Sequence, residues 1–404
     1  MVPSREIFWN IPFGPAVLYP LSVIVLSLLV YSLYKRYRLR LTGKGKVSSV
    51  SLSKRLYNFV VLALTDGLEH KRLLKGTYPG VMHLLLFWGC LVLLMAAFLD
   101  ALSYYWLHFM EGTFYLVSSL VFDTFGIAVL IGVIIATYRR YIQRPSRLDN
   151  TFDDALVLAL IFVVVITGFF VEGLRLVATE LKENPQWAVW SPGGFILANL
   201  FSGLADKTIL LWHRILWWFH TLVALGAIAY VAIVFSNLSH ILIAPINAFF
   251  VLLKPKEELE PIDIETASTL GVASIEEFSS KLLLDLDACT RCGRCQDSCP
   301  AYLSGKALSP KRVIQNLKSQ LVPLSPSLVK SNNPGHSVIG KVVTEGEIWD
   351  CTTCGACLVH CPVYINPVAK IIKMRRNLTL MQSKMPETIQ LSLSSPEKGT
   401  PLGR

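Results

Sequence analysis

Two runs of cysteine supply most of the chemistry available to this chain. The first reads Cys289-Thr-Arg-Cys292-Gly-Arg-Cys295-Gln-Asp-Ser-Cys299-Pro300, and the second begins at Cys351 and continues through Cys354, Cys357 and Cys361 to Pro362. Both follow the spacing C-x2-C-x2-C-x3-C-P, and of the nine cysteines only Cys90 lies outside them. Three thiolates at that spacing wrap onto three corners of one iron–sulfur cube, while the fourth, ahead of proline, ligates the other cube. The spacing therefore assigns Cys289, Cys292, Cys295 and Cys361 to cluster I, and Cys351, Cys354, Cys357 and Cys299 to cluster II, each a [4Fe-4S] cluster. Zinc sites pair a C-x2-C with a distant second pair and have no use for the third cysteine of each run. Disulfides are rare on the reducing side of a membrane.

Such clusters need elements to hold them. In 404 residues, two or three domains are expected. A hydrophobic fraction of 53%, 16% charged residues and a mean hydropathy of +0.50 point to a membrane protein. No secretory leader is expected, because the first apolar run is followed by basic residues instead of a small-residue cleavage site. Five apolar segments reach the ~20 residues a bilayer requires: roughly 15–34, 79–102, 114–137, 154–176 and 208–236. The first is followed by Lys35, Arg36, Arg38, Arg40, Lys44 and Lys46, and the third by Arg139, Arg140, Arg144 and Arg147. Positive loops stay in the cytoplasm, which sets the N-terminus outside and the cysteine-rich C-terminal part inside. The net charge of +10 is thereby accounted for by topology, and no nucleic-acid role is expected.

The chain divides into a membrane domain over 1–253, a linker over 254–284, a cluster domain over 285–380 and an extended tail over 381–404. The boundary near 254 is the change from apolar sequence to Lys254-Pro-Lys-Glu-Glu. Residues 50–75 read as an interfacial amphipathic segment, and 177–207 as an external loop with a short surface helix. Ser309-Pro310 marks a helix start between the cysteine runs, ahead of a loop over Ser325–Gly335. The long insert between the runs favours an α-helical ferredoxin, of the kind found in succinate dehydrogenase iron–sulfur subunits, over a small ferredoxin.

Ligand-capable residues inside spans are functional candidates. Two axial imidazoles from facing helices hold the iron of electron-transfer haems. His83 with His220 forms one candidate pair for an outer haem b, and His70 with His240 an inner one. His220 and His240 are 20 residues apart, ~30 Å along an ideal helix, whereas His70 and His83 are 13 apart, so a tilt, or a non-helical break at Pro79-Gly80, is needed. For each histidine the plainer role is a hydrogen-bonded packing residue. His213 and Arg214 are candidates for a haem propionate or a quinone. Proton exchange with a quinone could further use Glu172 and Arg175 on the outer side, or Arg55 and Asp66 on the inner. His108 is expected to be solvated, His360 to pack beside a cluster, and His336 to have no role.

The five spans with these histidines resemble the nitrate reductase gamma-subunit family of dihaem cytochromes b. Trp217-Trp218-Phe219-His220, Ser239-His240 and Pro245-Ile-Asn247 are similar to heterodisulfide-reductase-related membrane proteins, as are Ile275-Glu-Glu-Phe278 and Ile348-Trp349-Asp-Cys351 beside the cysteine runs. The resemblance implies an all-α fold, a five-helix cytochrome b bundle followed by an α-helical ferredoxin domain. It implies a membrane electron-transfer subunit, the quinone-reactive part of an oxidoreductase complex, linking an electron-transfer flavoprotein or a heterodisulfide-reductase-like module to menaquinone. Members of the group continue into cysteine-rich CCG repeats, absent from this sequence, so that module is expected to be a separate subunit or missing. The expected partners are a cytoplasmic iron–sulfur (CCG-type) or flavoprotein redox subunit and a quinone. The competing reading is a haem-free membrane anchor and iron–sulfur docking subunit for a soluble reductase.

Overall fold

The computed structural model describes residues 2–41, 51–234, 237–250, 269–321 and 337–397. Lys44, Lys46, the boundary at Lys254, the first part of the linker, the Ser325–Gly335 loop, His336 and the end of the tail lie outside the described residues. Among the described residues there are helices and two isolated β-bridges but no strand. The longer helices are α1 (Gly14–Leu41), α2 (Leu52–Leu62), α3 (Thr77–Leu102), α4 (Gly112–Thr137), α5 (Phe152–Ala178), α6 (Pro192–Phe201), α7 (Asp206–Val234), α8 (His240–Phe249), α9 (Ser280–Ala288), α10 (Pro310–Leu321), α11 (Pro367–Gln382) and α12 (Glu387–Glu397). Five stretches are long and apolar enough to cross a membrane: Gly14–Arg38, Thr77–Leu107, Gly112–Gln143, Phe152–Glu183 and Asp206–Val234. The chain forms two compact units, one of Met1–Tyr34, Leu73–Ser146 and Asn150–Ser239, the other of Lys35–Arg72, Arg147–Asp149 and His240–Arg404.

In the first unit α3 packs on α4, α4 on α5, and α5 on both α6 and α7. Glycines let these backbones approach, as helix packing without a hydrophobic drive requires. A Cβ on Gly89 would run into Val129 Cγ2, and one on Gly126 would stand 2.9 Å from the Phe169 ring. Val129, Val133, Val165 and Phe169 form the buried cluster at this seam. α5 begins with a capping box in which Thr151 and Asp154 serve each other's backbone N–H. The stretch 177–207, expected as a loop, is largely helical. Pro192 opens α6 at a position where proline's missing donor costs nothing. The Asp123 carboxylate of α4 accepts bonds from Gly193 N (2.6 Å) and Gly194 N (3.2 Å), satisfying two of the donors a helix start leaves free.

In the second unit α2 runs on as a π-helical turn, Ala63–Leu68. α8 packs on α2 and α9, and α10 packs on α9 and α11. Ser309 caps α10 by accepting from Arg312 N at 3.2 Å, ahead of Pro310. The helix buries Val313, Ile314, Leu317 and Leu321 on one face. At the centre Lys370, fully buried, meets Asp285 at 2.8 Å, and Lys281 pairs with the same carboxylate. Asn247 of α8, also buried, donates to Val363 O (2.8 Å) and accepts from Lys281 (2.8 Å). Where an extended tail is expected over 381–404, α12 occupies Glu387–Glu397, with Ile389 N and Gln390 N both bonded to Pro386 O.

Two rulers from the sequence do not hold. A 3-10 turn at Asn237–Ser239 precedes α8, so His240 opens a separate helix and the distance to His220 cannot be counted along one axis. His70 is likewise outside α3. It sits at φ +55 between the π-helical turn and a short helix at Lys71–Leu74, so the break lies there and not at Pro79-Gly80. Pro79 stands in the first turn of α3, where no helical bond is lost.

Candidate functional site

The two cysteine runs fold alike. In each, the residue before the second cysteine is left-handed (Arg291 at φ +57, Thr353 at +55), and so is the glycine after it (Gly293 and Gly355, both +74). These turns curl the backbone around the space where the first three thiols converge. Each fourth cysteine, Cys299 and Cys361, is buried. Pro300 opens a short helix, Pro300–Leu303.

The structure gathers Cys289, Cys292, Cys295 and Cys361 around one pocket. Cys351, Cys354, Cys357 and Cys299 surround a second. Each pocket thus takes three thiols from one run and the last thiol of the other. Cys357 lines both. Burial pushes the Cys361 thiol up to about 12, helped by Cys292 beside it, and pushes Cys357 up to about 12, helped by Cys351 and Cys299. Bare thiolates are therefore costly here, and a cationic iron core is what would make them stable. Among the described residues no three His, Cys, Asp or Glu side chains close in enough to hold a single metal ion. Three thiols from one run and the last thiol of the other are the ligand set of a two-cluster ferredoxin, whereas zinc sites pair a C-x2-C with a distant second pair.

Donors surround the sulfurs. Gln315 Nε2 reaches Cys289 Sγ at 2.9 Å, Ile365 N reaches Cys361 Sγ at 3.3 Å, and Thr353 N reaches Cys351 Sγ at 3.4 Å. The first loop is closed over by Arg147–Asp149. A Cβ on Gly293 would lie 2.6 Å from Arg147 O, Lys311 pairs with Asp149 at 2.6 Å, and Arg147 pairs with Asp297 at 2.9 Å. Arg72 donates to Cys361 O (3.1 Å), lies over the Tyr364 ring (4.0 Å to its centroid) and pairs with Asp66 at 3.3 Å. Tyr364 donates its hydroxyl to the same carboxylate. Asp66 is thus engaged in this knot beside the cluster loop.

His70, two residues before Arg72, is buried, with Nδ1 3.1 Å from Leu68 O. Burial lowers its pKa, keeping the imidazole neutral as an iron ligand must be. His240 opens α8, which packs on α2 and on the π-helical turn that leads to His70. His83 and His220 both belong to the first unit, on α3 and α7. Among the described residues these two helices are not a closely packed pair. His220 Nδ1 lies 3.1 Å from Thr167 Oγ1, with its ring against Gly168, so Nε2 faces away from that bond. His83 stacks on Phe87. One ring nitrogen of His70 and one of His220 are thus held by hydrogen bonds.

His213 is buried against Trp9, and its Nδ1 has no hydrogen-bond partner among the described residues. Arg214 is exposed and holds the N-terminal segment through Asn10 O (3.3 Å) and Asn10 Oδ1 (3.1 Å). Glu172 and Arg175 form a two-pronged ion pair, and Arg175 also donates to Glu180 (3.0 Å) and Tyr115 (3.1 Å). Arg55 is buried with its guanidinium 5.7 Å from the Phe250 ring centroid. His108 is exposed; His360 is exposed too, its Nδ1 near Ala356 O. Sequence reasoning missed Asp123, Tyr115, Glu180 and Gln315. Only for Asp123, an acid within a span, was there a signal to find it by.

A family profile described as a 4Fe-4S dicluster domain matches residues 285–365. The chain is similar to EtfAB:quinone oxidoreductase of Syntrophomonas wolfei, 36% identical over 98% of this chain and 59% of that protein. It is also similar to the probable iron-sulfur-binding oxidoreductase FadF of Bacillus subtilis, 32% identical over 82% of this chain and 52% of that one. An iron-sulfur subunit of the CoB–CoM heterodisulfide reductase of Methanopyrus kandleri is 29% identical over 32% of this chain and 56% of its own length. The chain spans little more than half the length of these relatives. No solved structure matches it. The chain thus carries a 4Fe-4S dicluster domain and is related to iron–sulfur oxidoreductases and heterodisulfide reductase subunits.

Proposed function

We propose that this chain is a membrane electron-transfer subunit, passing electrons between a cytoplasmic redox partner and the quinone pool with two [4Fe-4S] clusters and two b haems as carriers. The observation that carries it is the exchange of fourth cysteines between the two pockets. That exchange is the arrangement of two-cluster proteins, and the dicluster match supports it. Cys289, Cys292, Cys295 and Cys361 hold cluster I; Cys351, Cys354, Cys357 and Cys299 hold cluster II. His83 with His220, and His70 with His240, hold the haems. The names of the relatives favour an electron-transfer flavoprotein or a heterodisulfide-reductase-like module as partner, and a quinone, menaquinone in our reading, as the membrane carrier.

Clusters and haems supply one-electron redox chemistry, and the protein supplies ligands, dielectric and orientation. Gln315 and the backbone donors at Ile365 and Thr353 stabilise charge on the sulfurs. Thr167 and Leu68 O fix the rings of His220 and His70. His213, with a free ring nitrogen, and Arg214 are the outer-side groups for quinone or a haem propionate. The basic loops set the N-terminus outside and the clusters in the cytoplasm of a multi-pass inner-membrane protein.

The test is the purified chain itself. It should carry iron and sulfide for two cubes and a b-type haem spectrum. His220→Leu should remove one b-type band, and Cys361→Ser should disturb the cluster of the first run. An unchanged haem content in the first variant, or loss confined to the second run's cluster in the other, refutes the corresponding ligand.

A further inference from the structure

The two cysteine loops have the same backbone and different surroundings. The first loop is roofed by the chain's own Arg147–Asp149, whose backbone presses on Gly293 and whose Asp149 reaches Lys311. At the second, a Cβ on Gly355 would meet nothing within 4 Å among the described residues, and Thr352, Thr353 and Cys354 are exposed. Cys354 is the exposed member of the eight, so the second pocket has one wall at the surface. The other wall contributes as well: Cys299 leads into exposed Tyr302 and Leu303, the latter 68% exposed. Ala307 N bonds to Asp350 Oδ2 at 3.0 Å and ties this stretch to the second loop. The rim is cationic outward and anionic inward. Lys306 and Arg312 are 57% and 58% exposed, while their partners Asp350 and Glu347 are 23% and 7% exposed.

Resting on the electron-carrier reading above, we propose that the bare loop at Thr352–Cys354, with Leu303 and Lys306, is the port where a soluble electron-carrier protein docks. That partner presents an apolar contact ringed by carboxylates and occupies at this loop the place that Arg147–Asp149 occupies at the other. One electron leaves the partner's reduced carrier and reduces one oxidised cluster by one charge, with no bond made or broken. Apolar contact at the centre excludes water, and the cationic rim raises the encounter rate in a salt-dependent way. The first cluster, beneath its own roof and beside the Arg72 knot that leads to His70, is the interior member of the pair.

The experiment uses the full cluster-loaded chain in detergent, with Leu303→Glu/Lys306→Glu as the variant; neither residue is a ligand. An anionic lanthanide chelate, as a paramagnetic probe, should speed electron-spin relaxation of the cluster held by Cys351, Cys354 and Cys357 and leave the other slow. Flavodoxin hydroquinone, an acidic one-electron donor, should reduce the wild type faster at low salt. The double variant should lose about tenfold or more of that rate, while dithionite reduction and both cluster spectra stay unchanged. Equal relaxation of both clusters, no reduction of wild type by flavodoxin, or an unaltered flavodoxin rate in the variant each overturns the port. Failure of the carrier reading looks different: two cluster signals would then be missing from the wild type.

Discussion

Gln315 offers a measurement that separates the two clusters. Its amide nitrogen donates to Cys289 Sγ at 2.9 Å, and a thiolate sulfur accepts without returning a proton, so the amide must face it with N–H. Reduction adds negative charge to the cluster and its sulfurs, so this bond stabilises the reduced form more than the oxidised one. Gln315→Leu keeps the volume and the helix but removes the donor. A hydrogen bond nets about 0.5–1.5 kcal/mol, and about 1.4 kcal/mol equals about 59 mV for a one-electron couple. The midpoint potential of the cluster bound by Cys289 should therefore fall by about 20 to 60 mV. The cluster bound by Cys351, whose sulfur accepts from Thr353 N instead, serves as internal reference. Redox titration monitored by electron paramagnetic resonance reads both at once. A shift in the reference cluster, or none in either, would refute the reasoning.

Two further outcomes are expected. Gly293→Ala meets a left-handed φ and the Arg147 carbonyl at 2.6 Å, whereas Gly355→Ala meets the same φ in open space. The left-handed strain alone costs about 1–2 kcal/mol, so the Gly355 variant should keep both clusters and the Gly293 variant should lose iron from the first, as counted by iron and sulfide assay; equal losses would deny the roof. At Asp285, burial pushes the carboxyl up, but Lys281 and Lys370 more than reverse it and hold it at about 2. Because this pKa is depressed, its contribution to stability is complete above the ordinary carboxylate value near ~3.9 and is lost as pH falls toward 2. Lys370→Met should cost about 3 kcal/mol at neutral pH, and Asp285→Asn should flatten the acid limb of a thermal-unfolding profile; an unchanged acid limb would contradict the pairing.

What could be read in advance follows the range of the interactions. Cluster ligation is local chemistry, so the two spacings already mark the thiols that line the two pockets. The spans were legible because lipid demands long apolar runs. Asp123 capping α6, Asn247 bridging α8 to Val363 and the Tyr115–Arg175–Glu180 contacts depend on tertiary neighbours that no spacing encodes. The helical ruler between His220 and His240 failed for the same reason: no proline or glycine announces the 3-10 turn at Asn237–Ser239. The tail was read from composition as extended, but Pro386 and the residues after it suffice to start α12.

Cys357 stands in the party wall between the two pockets. With the two proposed clusters in these pockets, charge on one would be felt on the other across a thin, poorly polarisable partition, and a second electron would enter against the first. The pair would then behave as a turnstile, taking the electrons of a two-electron donor singly.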